Sequence, residues 1–134
     1  MDLNPNELKS IIHRAGELKQ LQEEGAVHQP LTGITLAMIF GLKSTRTRVA
    51  FETGMHQLGG HAIFLSPADS QVGRGEPLKD MARVLAKMVD IVMIRTLSHD
   101  EIVDFANSSS VPGINAMSAR FHPCQLLADM QTYE

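Results

Sequence analysis

Five consecutive residues, Ser44-Thr45-Arg46-Thr47-Arg48, put three hydroxyls and two guanidinium groups into one short stretch. The chemistry this favours is the holding of an oxyanion. Hydroxyls donate hydrogen bonds, and Arg grips phosphate through two parallel N–H bonds. Where such a run opens a helix, unpaired backbone N–H groups and the helix dipole act in the same direction. The spacing is not that of a Walker loop, nor does it hold the Gly-x-Gly-x-x-Gly of dinucleotide sites. A plainer alternative is that Ser44 or Thr45 only caps a helix and both Arg side chains are solvated surface charge. The run by itself leaves both readings open.

The second group is His122-Pro123-Cys124-Gln125. A His just before Pro at a helix start can aim into a cleft and polarise a carbonyl oxygen on which negative charge grows. Taken alone, a capping His is the simpler reading. Cys124 at the same helix start should have a lowered pKa, yet no His obviously serves it, so a spectator thiol is expected. Arg95 closes an apolar run, and beside Arg46 it would be a second positive group for a phosphorylated ligand. The six His and the single Cys show no close ligand pair, so no metal site is expected. Met38, Met55, Met81, Met88 and Met93 read as core filling. Glu52 is placed to pair with Arg48 at i+4.

The elements that must carry these groups alternate. Asn4, Pro5 and Glu7 start a helix with Leu8, Ile11, Ile12, Ala15 and Leu18 as its apolar stripe, and Gly25 stops it. Ile34–Phe40 is continuously apolar between glycines, as a strand buried on both faces would be. A helix over Thr47–Leu58 offers Val49, Phe51, Met55 and Leu58 for packing, and Gly59-Gly60 ends it. His61–Leu65 is a second strand and Asp90–Arg95 a third. Between them a helix opening at Pro77 carries Leu78, Met81, Leu85 and Met88 on one side. Ser98 and Glu101 make a capping box for the next helix, Val111–Asn115 is a weak fourth strand, and His122-Pro123 opens a last helix. The alternation predicts an α/β three-layer sandwich, with a four-stranded parallel sheet and helices on both faces. Ligands of such sheets bind beyond the carboxyl ends of the strands, where the Ser44 run, Arg95 and His122 all fall.

Composition narrows the function classes. The 134 residues suit one domain, with 43% apolar residues for a core and a net charge of -3. A bulk nucleic-acid binder should be clearly basic, and with no Trp and one Tyr no stacking platform is expected either. The longest apolar run, Leu36–Phe40, is far short of the roughly 20 residues that span a bilayer. With one Cys and no signal-like start, a cytoplasmic protein free of membrane and nucleic-acid partners is the expectation.

The Ser44–Arg48 run, followed by Phe51-Glu52 and Leu58-Gly59-Gly60, resembles the carbamoyl-phosphate domain of the aspartate and ornithine carbamoyltransferases. His122-Pro123-Cys124-Gln125, with Leu126, Leu127, Ala128 and Asp129, is similar to that family's second motif. The likeness runs over almost the whole chain, and Ser70-Gln71-Val72-Gly73 looks like the ornithine branch. The resemblance implies that residues 1–134 form a carbamoyl-phosphate-binding domain, with the amino-acid-binding domain outside this chain. It implies that Ser44, Thr45, Arg46 and Thr47 hold the phosphate, and that Arg95, His122 and Thr47 bind and polarise the carbamoyl oxygen. Gln125 would read the carbamoyl amide, and Gln71 would reach the ligand of an adjacent subunit in a homotrimer. Arg46, Arg95 and His122 would be the catalytic residues, and no metal or organic cofactor is implied. The alternatives are a domain serving aspartate or another amine, and a non-catalytic phosphate-binding or oligomerisation module. The sequence departs from the family at Lys43, and in Asn115-Ala116-Met117-Ser118-Ala119-Arg120. There the usual Asn-Gly-Leu-Thr-Asp run has Gly in place of Ala116, allowing a special backbone angle, and an acidic residue that is missing here.

Overall fold

The computed structural model describes residues 3–66 and 78–133. Its elements run α1 (Pro5–Glu23), β1 (Thr35–Phe40), α2 (Thr45–Gln57), β2 (His61–Leu65), α3 (Leu78–Leu85), β3 (Ile91–Arg95), α4 (His99–Ser108), β4 (Gly113–Met117) and α5 (Pro123–Tyr133). The alternating order and the parallel sheet agree with the expectation. The four strands pair in the order β2-β1-β3-β4, every neighbour parallel.

Two compact units result: α1 with α5, and the sheet unit Gln29–His122. In the helical unit a full capping box starts α1. Asn4 Oδ1 accepts from the N–H groups of Asn6 and Glu7, and Glu7 Oε2 accepts from Asn4 N at 2.7 Å. Of the α1 stripe, Ile12 is buried while Ile11 is exposed.

In the sheet unit β1 is apolar from Leu36 to Phe40 because both of its faces are covered there. Its odd-numbered residues Ala37 and Ile39 pack with Val92 and Ile94 of β3, Ala82 of α3 and Phe105 of α4. Its even-numbered residues Leu36, Met38 and Phe40 pack with Met93, with Met55 and Phe51 of α2, and with Ala116. Helices therefore cover both faces, as alternation in a central parallel strand requires.

Several boundaries differ from the sequence reading. α2 begins at Thr45 because Ser44 is its N-cap, which brings the whole hydroxyl run into the first turn. β4 begins at Gly113 rather than Val111. Ser109 Oγ bonds both Val111 N and Val111 O, and Pro112 has no N–H for the ladder. α3 ends at Leu85 and the chain turns through Met88, which is exposed rather than core; Val49 is exposed as well. At α4, Ser98 caps Glu101 N, but the Glu101 carboxylate takes the Thr96 hydroxyl at 2.7 Å instead of closing a box on Ser98 N.

Gly59 ends the α2 region with φ +86, and a Cβ there would lie 2.7 Å from Gln29 Cβ and 3.0 Å from Thr32 Oγ1. Both the left-handed backbone and the lack of space require glycine. Gly59→Ala should destabilise the chain by about 1–3 kcal/mol. In urea unfolding this appears as a lower midpoint at constant slope; an unchanged midpoint would contradict the reading.

Candidate active site

The strand order places a topological switch between β1 and β3. The chain leaves β1 toward β2 on one side, and β3 lies on the other. Loops diverge at such a point and open a crevice at the carboxyl ends of the strands. The register pairs Phe40 with Arg95, the last residues of β1 and β3, and Gly41 N donates to Arg95 O at 2.7 Å. A Cβ on Gly41 would meet Thr96 Oγ1 at 3.3 Å and Arg95 O at 3.4 Å, so glycine lets the two strand ends approach this closely.

Across the crevice Arg95 Nη1 donates to Thr47 Oγ1 at 3.1 Å, and Ser44 Oγ donates to the same oxygen at 3.0 Å. Both acceptor sites of the Thr47 hydroxyl are thus filled, and its own proton is left to give outward. Ser44 also accepts from Thr47 N at 3.4 Å as N-cap, and Arg48 N is bonded to Ser44 O. The N–H groups of Thr45 and Arg46, in the first turn, have no partner within the helix. Arg95 Nε is buried with no hydrogen-bond partner among the described residues. A charged donor buried in that state is a group waiting for an acceptor. Together these donors can hold an oxyanion at the α2 N-terminus, strengthened by one guanidinium from β3.

Ser44 caps α2, and the cap leaves the Thr45 and Arg46 N–H groups open, so the capping reading of the run is compatible with an anion site. Arg46 is exposed and makes no hydrogen bond or ion pair among the described residues. Arg48 is diverted: its Nε bonds Glu52 at 3.2 Å, and its guanidinium carbon lies 3.8 Å from the Phe64 ring centroid.

His122 reaches the same sheet edge from β4, through a turn at Ser118–Phe121. Between Ile94 and Arg95 the β3–β4 register slips by one residue, so that Arg95 faces Met117 and Ala116 is the extra residue of β4. Ala116 is fully buried and has no positive φ, so no special backbone angle is needed where the family run carries Gly. His122 is half-buried, and its Nδ1 is buried with no hydrogen-bond partner among the described residues. Gln125 belongs to the helical unit, where its Nε2 donates to Asp129 Oδ1 at 2.8 Å. Gln71 lies outside the described residues. Cys124 corrects an expectation: burial pushes its thiol pKa up, opposite to a helix start's effect, which fits a spectator. Sequence reasoning missed the support at the β3 end, where Thr96 N donates to Met117 O and Ser98 N to Thr96 Oγ1. Its signal was a hydroxyl directly after Arg95 with a carboxylate five residues on.

The family model described as "Aspartate/ornithine carbamoyltransferase, carbamoyl-P binding domain" matches residues 1–134. The chain belongs to this family. Among curated relatives, the ornithine carbamoyltransferase of Psychrobacter sp. (strain PRwf-1) is 62% identical over 133 residues, covering 99% of this chain and 44% of that protein. Among solved structures, ornithine carbamoyltransferase from Burkholderia thailandensis E264 is 49% identical with a TM-score of 0.94, covering 98% of this chain and 46% of that one. The Pyrococcus furiosus ornithine carbamoyltransferase is 46% identical with a TM-score of 0.95, covering 98% and 42%. The chain thus spans less than half the length of the carbamoyltransferases it matches. Among the described residues no helix is long and apolar enough to cross a membrane.

Proposed function

We propose that residues 1–134 are the carbamoyl-phosphate-binding part of an ornithine carbamoyltransferase. The reaction would move the carbamoyl group of carbamoyl phosphate to the amine of ornithine, releasing phosphate and forming citrulline. The observation that carries this is the Arg95–Thr47–Ser44 chain of hydrogen bonds across the β1/β3 crevice. It joins a guanidinium at the end of β3 to the start of the helix that follows β1, which supports an oxyanion cradle over a surface charge cluster.

In this reading the phosphate rests on the N–H groups of Thr45 and Arg46, the Thr47 hydroxyl and the Arg46 side chain, with the Ser44 hydroxyl turning its one proton from Thr47 to the phosphate. Arg95 and His122, with Thr47, face the carbamoyl oxygen, and Gln125 the carbamoyl amide. The ornithine amine attacks the carbamoyl carbon. The C–N bond forms, negative charge gathers on the carbonyl oxygen, and the C–O bond to phosphate breaks with its electron pair leaving on phosphate, which also takes up the proton that the amine nitrogen loses. Fixed donors at both places where charge grows would lower that barrier. No step calls on a metal or organic cofactor. The amine would be bound outside these residues, so binding without turnover is proposed for the 134 residues alone. A homotrimer in the cytoplasm, with Gln71 reaching a neighbour's ligand, completes the proposal.

The test is calorimetric titration with carbamoyl phosphate. Saturable binding is expected, weakened about tenfold by Arg46→Ala through loss of a charge-assisted contact. No binding by the unaltered chain, or equal binding by Arg46→Ala, would refute the assignment.

A further inference from the structure

His122 carries a buried ring nitrogen that nothing among the described residues holds. No hydrogen bond at that nitrogen fixes the ring, so the backbone that carries it matters, and that backbone leaves a turn with an unusual brace. Ser118 is buried. Its N–H donates to Phe121 O at 2.8 Å, and its Oγ accepts from Phe121 N at 3.1 Å, so the Ser118–Phe121 turn is closed from both sides. The same Oγ shares a hydrogen bond with His99 Nδ1 at 3.1 Å. The His99 ring then meets the Phe121 ring edge to face, with centroids 4.9 Å apart. His99 thus touches both ends of the turn at once, through the hydroxyl at its start and the ring at its end.

The support below His99 is anchored in the core. His99 is the first residue of α4, which Ser98 caps and Phe105 anchors in the core. Ala119 N donates to Leu97 O at 3.1 Å, tying the turn to the same α4 approach. Phe121 is otherwise mostly exposed, so without His99 its ring has little to fix it.

We propose that His99 is a positioning residue for His122, acting through Ser118 and Phe121 to hold the imidazole toward the carbamoyl group. The inference rests on the carbamoyl-phosphate reading of the site. It names a residue outside the crevice, on an element that supplies no ligand contact, as what gives the His122 loop one conformation.

The two contacts can be separated. His99→Phe keeps a ring against Phe121 and loses the hydrogen bond. His99→Asn keeps a polar atom near the Nδ1 position and loses the ring. His99→Ala loses both. Two readouts on the 134-residue chain apply, with retained amide dispersion confirming the fold. The first is the His122 Cε1–H resonance in the ligand-free chain. It is expected to shift or broaden in His99→Ala and in Ser118→Ala, and to recover at least partly in His99→Asn. The second is the ratio of affinities for carbamoyl phosphate and inorganic phosphate, since only the former offers a carbonyl oxygen. In His99→Ala carbamoyl phosphate should bind about tenfold more weakly, as for loss of one hydrogen bond, with phosphate within about twofold.

An unmoved His122 resonance in folded His99→Ala would overturn the positioning role while leaving the binding site intact. Equal losses for both ligands would also overturn it. A moved His122 resonance in a chain that binds neither ligand would uphold the positioning and sink the site reading instead.

Discussion

Replacing Arg95 with Met should weaken carbamoyl phosphate binding about a hundredfold while leaving the fold as stable as before, or slightly more so. The binding loss follows from the place of the guanidinium. It lies at the switch between β1 and β3, half-buried, with one N–H on Thr47 Oγ1. A charge-assisted hydrogen bond contributes about 1.5–3 kcal/mol, and the lower local dielectric strengthens the charge itself. About 2.7 kcal/mol corresponds to a hundredfold change. The stability half follows from Nε, which is buried without a partner among the described residues. Met has a similar reach and no donor to leave unsatisfied. Thr47 keeps the Ser44 hydroxyl as donor, so no second orphan is created. Calorimetric binding paired with urea unfolding checks both halves. Binding within twofold of the unaltered chain would remove Arg95 from the site. A large loss of stability would mean that the guanidinium is structural.

Phe105→Ala should have the largest effect on stability, a loss of about 3–5 kcal/mol. Phe105 is fully buried on the inner side of α4, within the cluster that joins α3 and α4 to Ala37, Val92 and Ile94. The removed ring leaves a cavity against strand residues whose backbone is fixed by ladders on both sides, so little collapse can fill it. Domains of this size are stable by only about 5–15 kcal/mol, so a large fraction of the margin is lost. Chemical denaturation by circular dichroism measures it. A change under about 1 kcal/mol would show that the face holding α3 and α4 is not a close-packed core.

The alternation of apolar strands with amphipathic helices was legible in the sequence because β1 is covered on both faces and so is apolar at every position from Leu36 to Phe40. Its flanks were harder. The start of α2 hinged on which hydroxyl capped it, and both Ser44 and Thr45 could. The start of β4 was set by Ser109 and Pro112, local hydrogen bonding that no periodicity reveals. The oxyanion donors were readable as types, since Ser44 and Thr47 follow one strand end and Arg95 closes another. Their convergence was not, because residues 47 and 95 meet only once the strand order β2-β1-β3-β4 exists. The brace behind His122 gave weaker signals still. His99, Ser118 and Phe121 are ordinary residues in sequence, and a tertiary contact between an α4 start and a β4 exit makes them a unit. The family run that carries Gly at position 116 raised the question of backbone conformation. Here Ala116 is the extra residue of a register slip, in an ordinary backbone conformation and packed in the core.

Residue-resolved NMR during titration with carbamoyl phosphate tests the oxyanion cradle most directly. The amide resonances of Thr45 and Arg46 and the Nε–H resonance of Arg95 should move together along one saturation curve, with inorganic phosphate moving the Thr45 and Arg46 amides in the same direction. If those three signals stay in place while the ligand perturbs residues elsewhere, such as the faces of α1 and α5, the cradle between β1 and β3 is not where the anion binds.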